Sequence, residues 1–128
     1  MNFPEDKYPL QEESYQIIGI CMEIHNILGN GMLEIVYKDA IEYEFTKNNI
    51  PYEREKKYEV NYKGTILPHF FYADFVVFDN IILEIKAQRG IIDEHYKMVL
   101  NYLSISKCKL GLIINFGDNS LITKRLIN

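Results

Sequence analysis

The sequence has 128 residues, a mass of 15.1 kDa, 48% hydrophobic and 25% charged residues, seven glycines and four prolines. This length predicts a single domain over residues 1–128, and the composition excludes a disordered, collagen-like or low-complexity chain. Its apolar runs are far shorter than the roughly 18 residues of a membrane-spanning helix, and its first residues lack the pattern of a signal peptide. We therefore expect a cytoplasmic protein without membrane contact, in which residues 1–11 form a loosely ordered arm.

The net charge is −4 and the pI is near 5.4, so the chain as a whole does not attract polyanions. Any contact with nucleic acid must come from a local patch or be assisted by a metal cation. The two cysteines, Cys21 and Cys108, form neither a disulfide framework nor the C-x-x-C pair of a zinc site. We expect both to be buried free thiols.

Two amphipathic helices are predicted in the first 50 residues. Apolar residues recur at three- and four-residue spacing from Glu12 to Leu28. Residues 29–31, Gly-Asn-Gly, end this helix because both residue types accept a left-handed backbone. A second apolar stripe runs from Leu33 to Phe45, and its helix stops at Asn48-Asn49. The Tyr37 side chain lies on this stripe, so we expect a core ring whose hydroxyl is bonded to a polar partner.

From Pro51 the hydrophobic period changes to two, which indicates strands. Lys63-Gly64 predicts a hairpin turn. The remaining predicted elements are a strand from His69 to Phe78, a strand from Ile81 to Gln88, a helix from Ile92 to Leu103, a buried strand from Leu110 to Phe116, and a turn at residues 117–119 before a short final segment. The order ααβββαβ predicts an α/β domain whose strands come mostly as one meander.

The two central strands carry charge on one face. Their other face is wholly apolar and is expected to point into the core; it comprises Phe71, Ala73, Phe75, Val77, Ile81, Leu83, Ile85 and Ala87. The opposite face carries Asp74 on one strand and Glu84, Lys86 and Gln88 on the next. A three-residue loop over 78–80 would place Asp74 opposite Glu84, whereas a two-residue turn would separate them. The apolar faces require an odd-length loop or a bulge.

Two neighbouring carboxylates repel each other unless a cation lies between them. Lys86 could supply that cation, and so could a hard divalent ion such as Mg²⁺, which prefers oxygen ligands. The pattern D…E-x-K is therefore consistent with phosphodiester hydrolysis, in which a metal polarises the phosphate and the lysine positions or deprotonates a water. The same pattern is common on exposed strands, where it forms an ordinary salt bridge.

Other motifs accompany this pattern. Residues 31–37 have the spacing G-x-x-E-x-x-Y, and they are followed in order by Asp74, Glu84-Ile85-Lys86, Asn101-Tyr102-Leu103 and the segment 111–117. In this combination and order the sequence resembles the GxxExxY proteins, a branch of the PD-(D/E)XK nuclease superfamily. The resemblance covers about residues 12–117.

The resemblance implies a restriction-endonuclease-like domain, with a central mixed β-sheet flanked by helices and an active site on the strand hairpin. It implies a nuclease that binds Mg²⁺ or Mn²⁺ and acts on nucleic acid, with DNA as the expected substrate. The implied metal ligands are Asp74, Glu84 and Glu34, the catalytic lysine is Lys86, and the residues expected to contact substrate are Gln88, Arg89 and Tyr102.

The sequence departs from the family pattern at two positions. Ala73 stands where the family has a proline before its aspartate, and Met98 stands where related nucleases often carry a glutamine. Because that amide is absent, the alternative is a non-catalytic nucleic-acid- or protein-binding domain that retains the fold. Glu34 alone has a second explanation, since an acidic residue is favoured in the first turn of a helix. A homodimer formed through an exposed helix or the final strand is a further hypothesis.

Overall fold

The computed structural model describes residues 10–127. In chain order the elements of this range are α1 (Gln11–Leu28), α2 (Glu34–Lys47), β1 (Tyr52–Tyr62), β2 (Thr65–Val77), β3 (Ile81–Lys86), α3 (Asp93–Ser106), β4 (Leu110–Asn115) and β5 (Ile122–Ile127). The predicted α/β order is confirmed, and the final segment adds a fifth strand. The expected arm covers residues 1–11: positions 1–9 lie outside the described residues, and Gln11 already belongs to α1.

The five strands form one mixed sheet in the order β1-β2-β3-β4-β5. The first three strands are an antiparallel meander, β3 and β4 are parallel, and β5 returns antiparallel to β4. A parallel pair needs a crossover connection, which α3 provides. The predicted turn at Lys63-Gly64 is confirmed, and both residues have positive φ angles of 51° and 85°, as a two-residue hairpin turn requires.

Helices cover both faces of the sheet, which explains why β3 and β4 are almost continuously apolar. On one face α1 and α2 pack against the sheet; the buried residues there include Ile17, Ile41, Phe45, Phe75, Leu83, Ile85, Leu112 and Ile114. On the other face α3 packs against a smaller cluster, which includes Ala73, Val76, Ile82, Val99, Leu103 and Ile113. Cys21 and Cys108 are buried free thiols, as predicted.

The prediction that the apolar residues of β2 all face one side of the sheet is wrong. Phe71 and Ala73 lie in the α3 cluster and not with Phe75, which faces α1 and α2. The side of the sheet that the β2 side chains face therefore reverses at Asp74, although the register with β1 is the same on both sides: Arg54 pairs with Phe75 and Lys56 with Ala73. Between them Glu55 has a φ angle of 54°, in the left-handed region. The reversal lies beside the predicted acidic residues.

No helix within residues 10–127 combines the length and apolar character needed to span a bilayer.

Candidate active site

The loop between β2 and β3 determines how the two central acids meet. It has three residues, 78–80, and the paired positions are Phe75 with Leu83, Val76 with Ile82 and Val77 with Ile81. This register places Asp74 opposite Glu84, so the predicted odd-length loop is confirmed. Phe78 and Asp79 take left-handed φ angles of 54° and 57° to make this turn.

Asp74 and Glu84 are fixed by hydrogen bonds to each other's strand. The backbone N–H of Asp74 donates to Glu84 Oε1 at 3.0 Å, and the N–H of Ile85 donates to Asp74 Oδ2 at 2.8 Å. Both side chains are buried, with relative exposures of 8% for Asp74 and 3% for Glu84. The carboxylates therefore replace backbone acceptors at the point where the ladder between β2 and β3 ends, which orients them.

A buried lysine that the sequence analysis missed contacts one of these acids. Lys38 of α2 has a relative exposure of 7%, and its Nζ lies 2.9 Å from Asp74 Oδ1 and 2.5 Å from Glu55 Oε1. One sequence signal could have identified it: Lys38 follows Glu34 by four residues, so both lie on one side of the helix. Glu55, the residue with the left-handed backbone, joins the same cluster.

The electrostatics of this cluster depend on burial and on like charge. Burial first, and the nearby Asp74 charge second, raise the pKa of Glu84 to about 9. Burial also raises the pKa of Glu34, while the charge of Lys86 acts in the opposite direction and that of Asp74 adds to the rise. Burial lowers the pKa of Lys38, but its hydrogen bonds to Glu55 and Asp74 outweigh that effect and raise it. The charges of Asp74, Glu84, Glu34 and Lys86 therefore act on one another, and Lys38 belongs to the same group.

Lys86 lies at the end of β3 and is half-buried. Its carbonyl accepts a hydrogen bond of 2.8 Å from Phe116 N, which fixes the backbone from which the side chain extends. Its charge acts on Glu34 and Glu84, and also on His95, whose pKa is lowered first by burial and second by Lys86. The His95 ring accepts a bond from Ile92 N at the start of α3.

Asn115 fixes the segment that follows β3. It is fully buried, its Oδ1 accepts from Gln88 N and Gly117 N, and its Nδ2 donates to Gln88 O at 2.7 Å. Gly117 lies so close to the Gln88 backbone that a Cβ atom there would overlap it. Gln88 and Arg89 expose their side chains on this fixed backbone. The sequence signal for Asn115 was a polar residue in an otherwise apolar strand.

Tyr102 lies under the hairpin. Its hydroxyl donates to the Tyr72 carbonyl at 2.8 Å, and its ring meets the edge of Phe71. Tyr102 is only 4% exposed, so it supports β2 close to Asp74. Its proposed contact with substrate stays a prediction. Met98 packs against the same α3 cluster.

Tyr37 explains the spacing of the G-x-x-E-x-x-Y motif. Its ring stacks on Phe116 at 4.3 Å, and its hydroxyl donates to Gly29 O at 2.6 Å and accepts from Met32 N at 3.1 Å. The prediction of a core tyrosine with a bonded hydroxyl is confirmed. The tyrosine thus fixes the loop that leads into α2, whose first residue is Glu34.

The donor atoms of this site suit a hard divalent cation. Carboxylate oxygens from Asp74, Glu84 and Glu34 are the ligands that Mg²⁺ and Mn²⁺ prefer. Across residues 10–127, however, no three His, Cys, Asp or Glu side chains are arranged closely enough to hold a metal ion. The cation that contacts Asp74 is the Lys38 ammonium group. The oxygen donors of Asp74 and Glu84 are therefore of the type that Mg²⁺ accepts, since this ion takes one or two carboxylates plus waters, while the described residues form no three-ligand cluster and Lys38 is a competing positive group.

The comparison with known families agrees with this geometry. Residues 11–126 match the sequence pattern of the PD-(D/E)XK nuclease superfamily. The chain belongs to this superfamily.

A solved structure has a similar fold. The protein titled "Crystal structure of SSO0001" superposes with a TM-score of 0.58 at 17% sequence identity, covering 96% of this chain and 62% of that chain. The present chain thus spans less than two thirds of that protein's length. No curated protein matches the sequence.

Proposed function

We propose that this domain is a metal-dependent nuclease that hydrolyses phosphodiester bonds of DNA. The observation that carries the proposal is the reciprocal bonding of Asp74 and Glu84, because it holds two carboxylates together at the end of the strand pair. Like charges so close are stable only with a proton or a cation between them. Membership of a nuclease superfamily supports the same conclusion.

In the proposed mechanism Asp74, Glu84 and Glu34 bind Mg²⁺ or Mn²⁺. When bound, the metal supplies Lewis-acid stabilisation of the phosphate and a more acidic water. Lys86 assists the attacking water: its ammonium form positions the water, whereas only its neutral amine form can take up the water's proton. Gln88 and Arg89, exposed on the segment fixed by Asn115, contact the phosphates of the substrate. Tyr102 keeps the hairpin beside the site in place through the Tyr72 carbonyl.

The proposal is tested with purified protein, Mg²⁺ or Mn²⁺, and a panel of single-stranded, double-stranded and branched DNA with RNA as comparison. Lys86→Ala is expected to lower the cleavage rate on the order of 100-fold or more, because a positioned proton-transfer group contributes about that much. Lys47→Ala is the matched control, since Lys47 is exposed at the end of α2. Equal cleavage by the Lys86 variant and the wild type would assign the activity to a contaminant.

A second candidate is a non-catalytic domain that binds nucleic acid or protein. The observation in its favour is that the Lys38 ammonium group already neutralises Asp74. Calorimetric titration with Mn²⁺ separates the two candidates. Binding that Asp74→Asn abolishes supports the nuclease, whereas a folded wild type without Mn²⁺ binding supports the binding domain.

A homodimer is also part of the proposal, because β5 is an edge strand whose outer side could pair with a second copy. Light scattering at high protein concentration tests this. A mass of one chain at every concentration would exclude it.

A further inference from the structure

Lys38 is the feature of the site that the proposed mechanism does not use. Long charged side chains are almost never fully buried unless they are paired, and Lys38 is paired twice, to Asp74 and to Glu55. Its two partners differ in environment. The Asp74 side chain is 11% exposed, whereas the Glu55 side chain is 48% exposed. One ammonium group therefore bridges a buried carboxylate and a carboxylate at the rim of the site.

Both oxygens of Asp74 are engaged in this arrangement. Oδ2 accepts from Ile85 N, and Oδ1 contacts Lys38 Nζ. A divalent cation that binds Asp74 must therefore coordinate an oxygen that already accepts a hydrogen bond. The bond from Ile85 belongs to the fixed backbone of β3, whereas Lys38 has a flexible side chain. Oδ1 is therefore the oxygen that can be made available.

A metal on Oδ1 and the Lys38 ammonium group in its present position would be like charges a few ångströms apart in a partly buried site, which is unfavourable. The contact with Glu55 gives the ammonium group a second position that it can occupy. Glu55 keeps Lys38 bonded after its contact with Asp74 is lost, so that no buried ammonium group is left without a partner.

We propose that Lys38 is a built-in counter-cation that competes with the divalent metal for Asp74. In the metal-free protein its ammonium group neutralises Asp74, and metal binding moves it fully onto Glu55. Lys38 is thus a positioning residue that sets the metal affinity of the site. The inference rests on the proposed function in one respect, since it takes Asp74 as a metal ligand.

The experiment measures two quantities in the full-length chain: Mn²⁺ affinity by calorimetry, and the unfolding temperature of the metal-free protein in chelator. Lys38→Met is expected to raise Mn²⁺ affinity on the order of tenfold, because a like charge near the metal is removed. The same variant should lower the metal-free unfolding temperature by roughly 5 °C or more, because buried Asp74 loses its counter-ion. A merely structural lysine would not produce opposite signs.

Lys47→Met, on the same helix but exposed, is the control and should change neither quantity. If Lys38→Met does not fold, Lys38→Gln replaces it, since glutamine removes the charge and keeps a polar side chain on the side of Asp74. The expected gain in Mn²⁺ affinity is the same. Unchanged or weaker Mn²⁺ binding by the charge-free variant overturns the inference while leaving the proposed function intact.

Glu55 gives an independent test through a double-mutant cycle. Glu55→Gln should weaken Mn²⁺ binding when Lys38 is present, because the displaced ammonium group has lost its destination. It should have no effect in the Lys38→Met background. Equal weakening in both backgrounds would mean that Glu55 acts on the metal independently of Lys38, by ligation or by its charge, and would overturn the proposal that it receives the displaced ammonium group. If the wild type, both Lys38 variants and the Lys47 control all fail to bind Mn²⁺, the metal premise of the proposed function fails and this inference with it.

Discussion

The fold sets the charge state of Glu84. This residue is 3% exposed and lies beside Asp74, and these two causes together raise its pKa to about 9. A carboxyl in water has a pKa near 4.3, so the metal-free folded protein keeps a proton on Glu84 at neutral pH that the unfolded chain has lost. Stability and proton binding are therefore linked at this side chain.

The sign of this linkage follows from the direction of the shift. Between about pH 5 and pH 9 the folded state binds more protons at Glu84 than the unfolded state does, so the contribution of this group to stability is lost as the pH rises. Glu84→Gln keeps the amide oxygen for the Asp74 N–H and has no proton to lose. As the pH rises across this window, we expect the wild type to lose free energy of unfolding relative to the variant, by up to about 1.4 kcal/mol per pH unit.

Thermal unfolding of both proteins in chelator from pH 5 to pH 9 measures the difference. Glu23→Gln, on the exposed side of α1, is the control and should follow the wild type at every pH. A constant difference between Glu84→Gln and the wild type over the whole range would contradict the raised pKa.

At the scale of elements, α2 combines three of the features described above. Glu34 begins the helix, Tyr37 bonds to the preceding loop, and Lys38 reaches the acids of the sheet. These residues lie within little more than one helical turn, so the direction in which α2 enters the fold determines all three contacts. The tyrosine is the part of this segment that is fixed to the core.

Tyr37→Phe is expected to destabilise the protein by about 1–3 kcal/mol, because Gly29 O and Met32 N lose a buried partner while the ring still stacks on Phe116. Chemical denaturation measures this cost. Tyr43→Phe on the same helix is the matched control, since Tyr43 is 64% exposed. An equal effect of the two substitutions would show that the Tyr37 hydroxyl bonds contribute nothing specific.

Much of this arrangement follows from local patterns. The helices, the meander and the opposition of Asp74 to Glu84 follow from apolar periodicity and from the length of one loop. The position of Lys38 did not follow, because helical spacing gives its side of the helix but not the strand residues it meets. The reversal at Asp74 was also missed: it lies beside a left-handed backbone at Glu55, and glutamate carries no local signal for that conformation.

The strand β5 was missed for a different reason. It carries Lys124 and Arg125 side by side, which interrupts the alternation that predicts a half-buried strand. Arg125 extends beneath α1, where its Nη1 donates to the buried Ser14 hydroxyl at 2.9 Å. This contact joins residues far apart in the chain, so no local pattern indicates it.

At the scale of the whole molecule, the net charge of −4 opposes binding to DNA. We therefore expect DNA binding to depend on a divalent cation at the acidic residues of the site, which would offset their negative charge. We expect Lys86→Ala protein, which leaves the substrate intact, to bind labelled DNA in Mn²⁺ and to lose most of that affinity in chelator. Fluorescence anisotropy at a fixed salt concentration measures both conditions. Equal binding in the two conditions would assign recognition to the basic side chains instead of the metal.

The length of β2 has a mechanical consequence. Residues 65–73 pair with β1 in the described chain, while the pairs with β3 are at Phe75–Val77, so the outer hairpin is two-stranded; its base, the pivot of any bending, lies beside Asp74 and Glu55, where Tyr102 braces β2. At a rise of about 3.3 Å per residue it extends roughly 30 Å. A tip displacement of about 3 Å then corresponds to a rotation of roughly 6° at the pivot, and to only a few tenths of an ångström at the carboxylates. By this geometry, a contact that bends the distant tip would shift the two acids by far less than it shifts the tip.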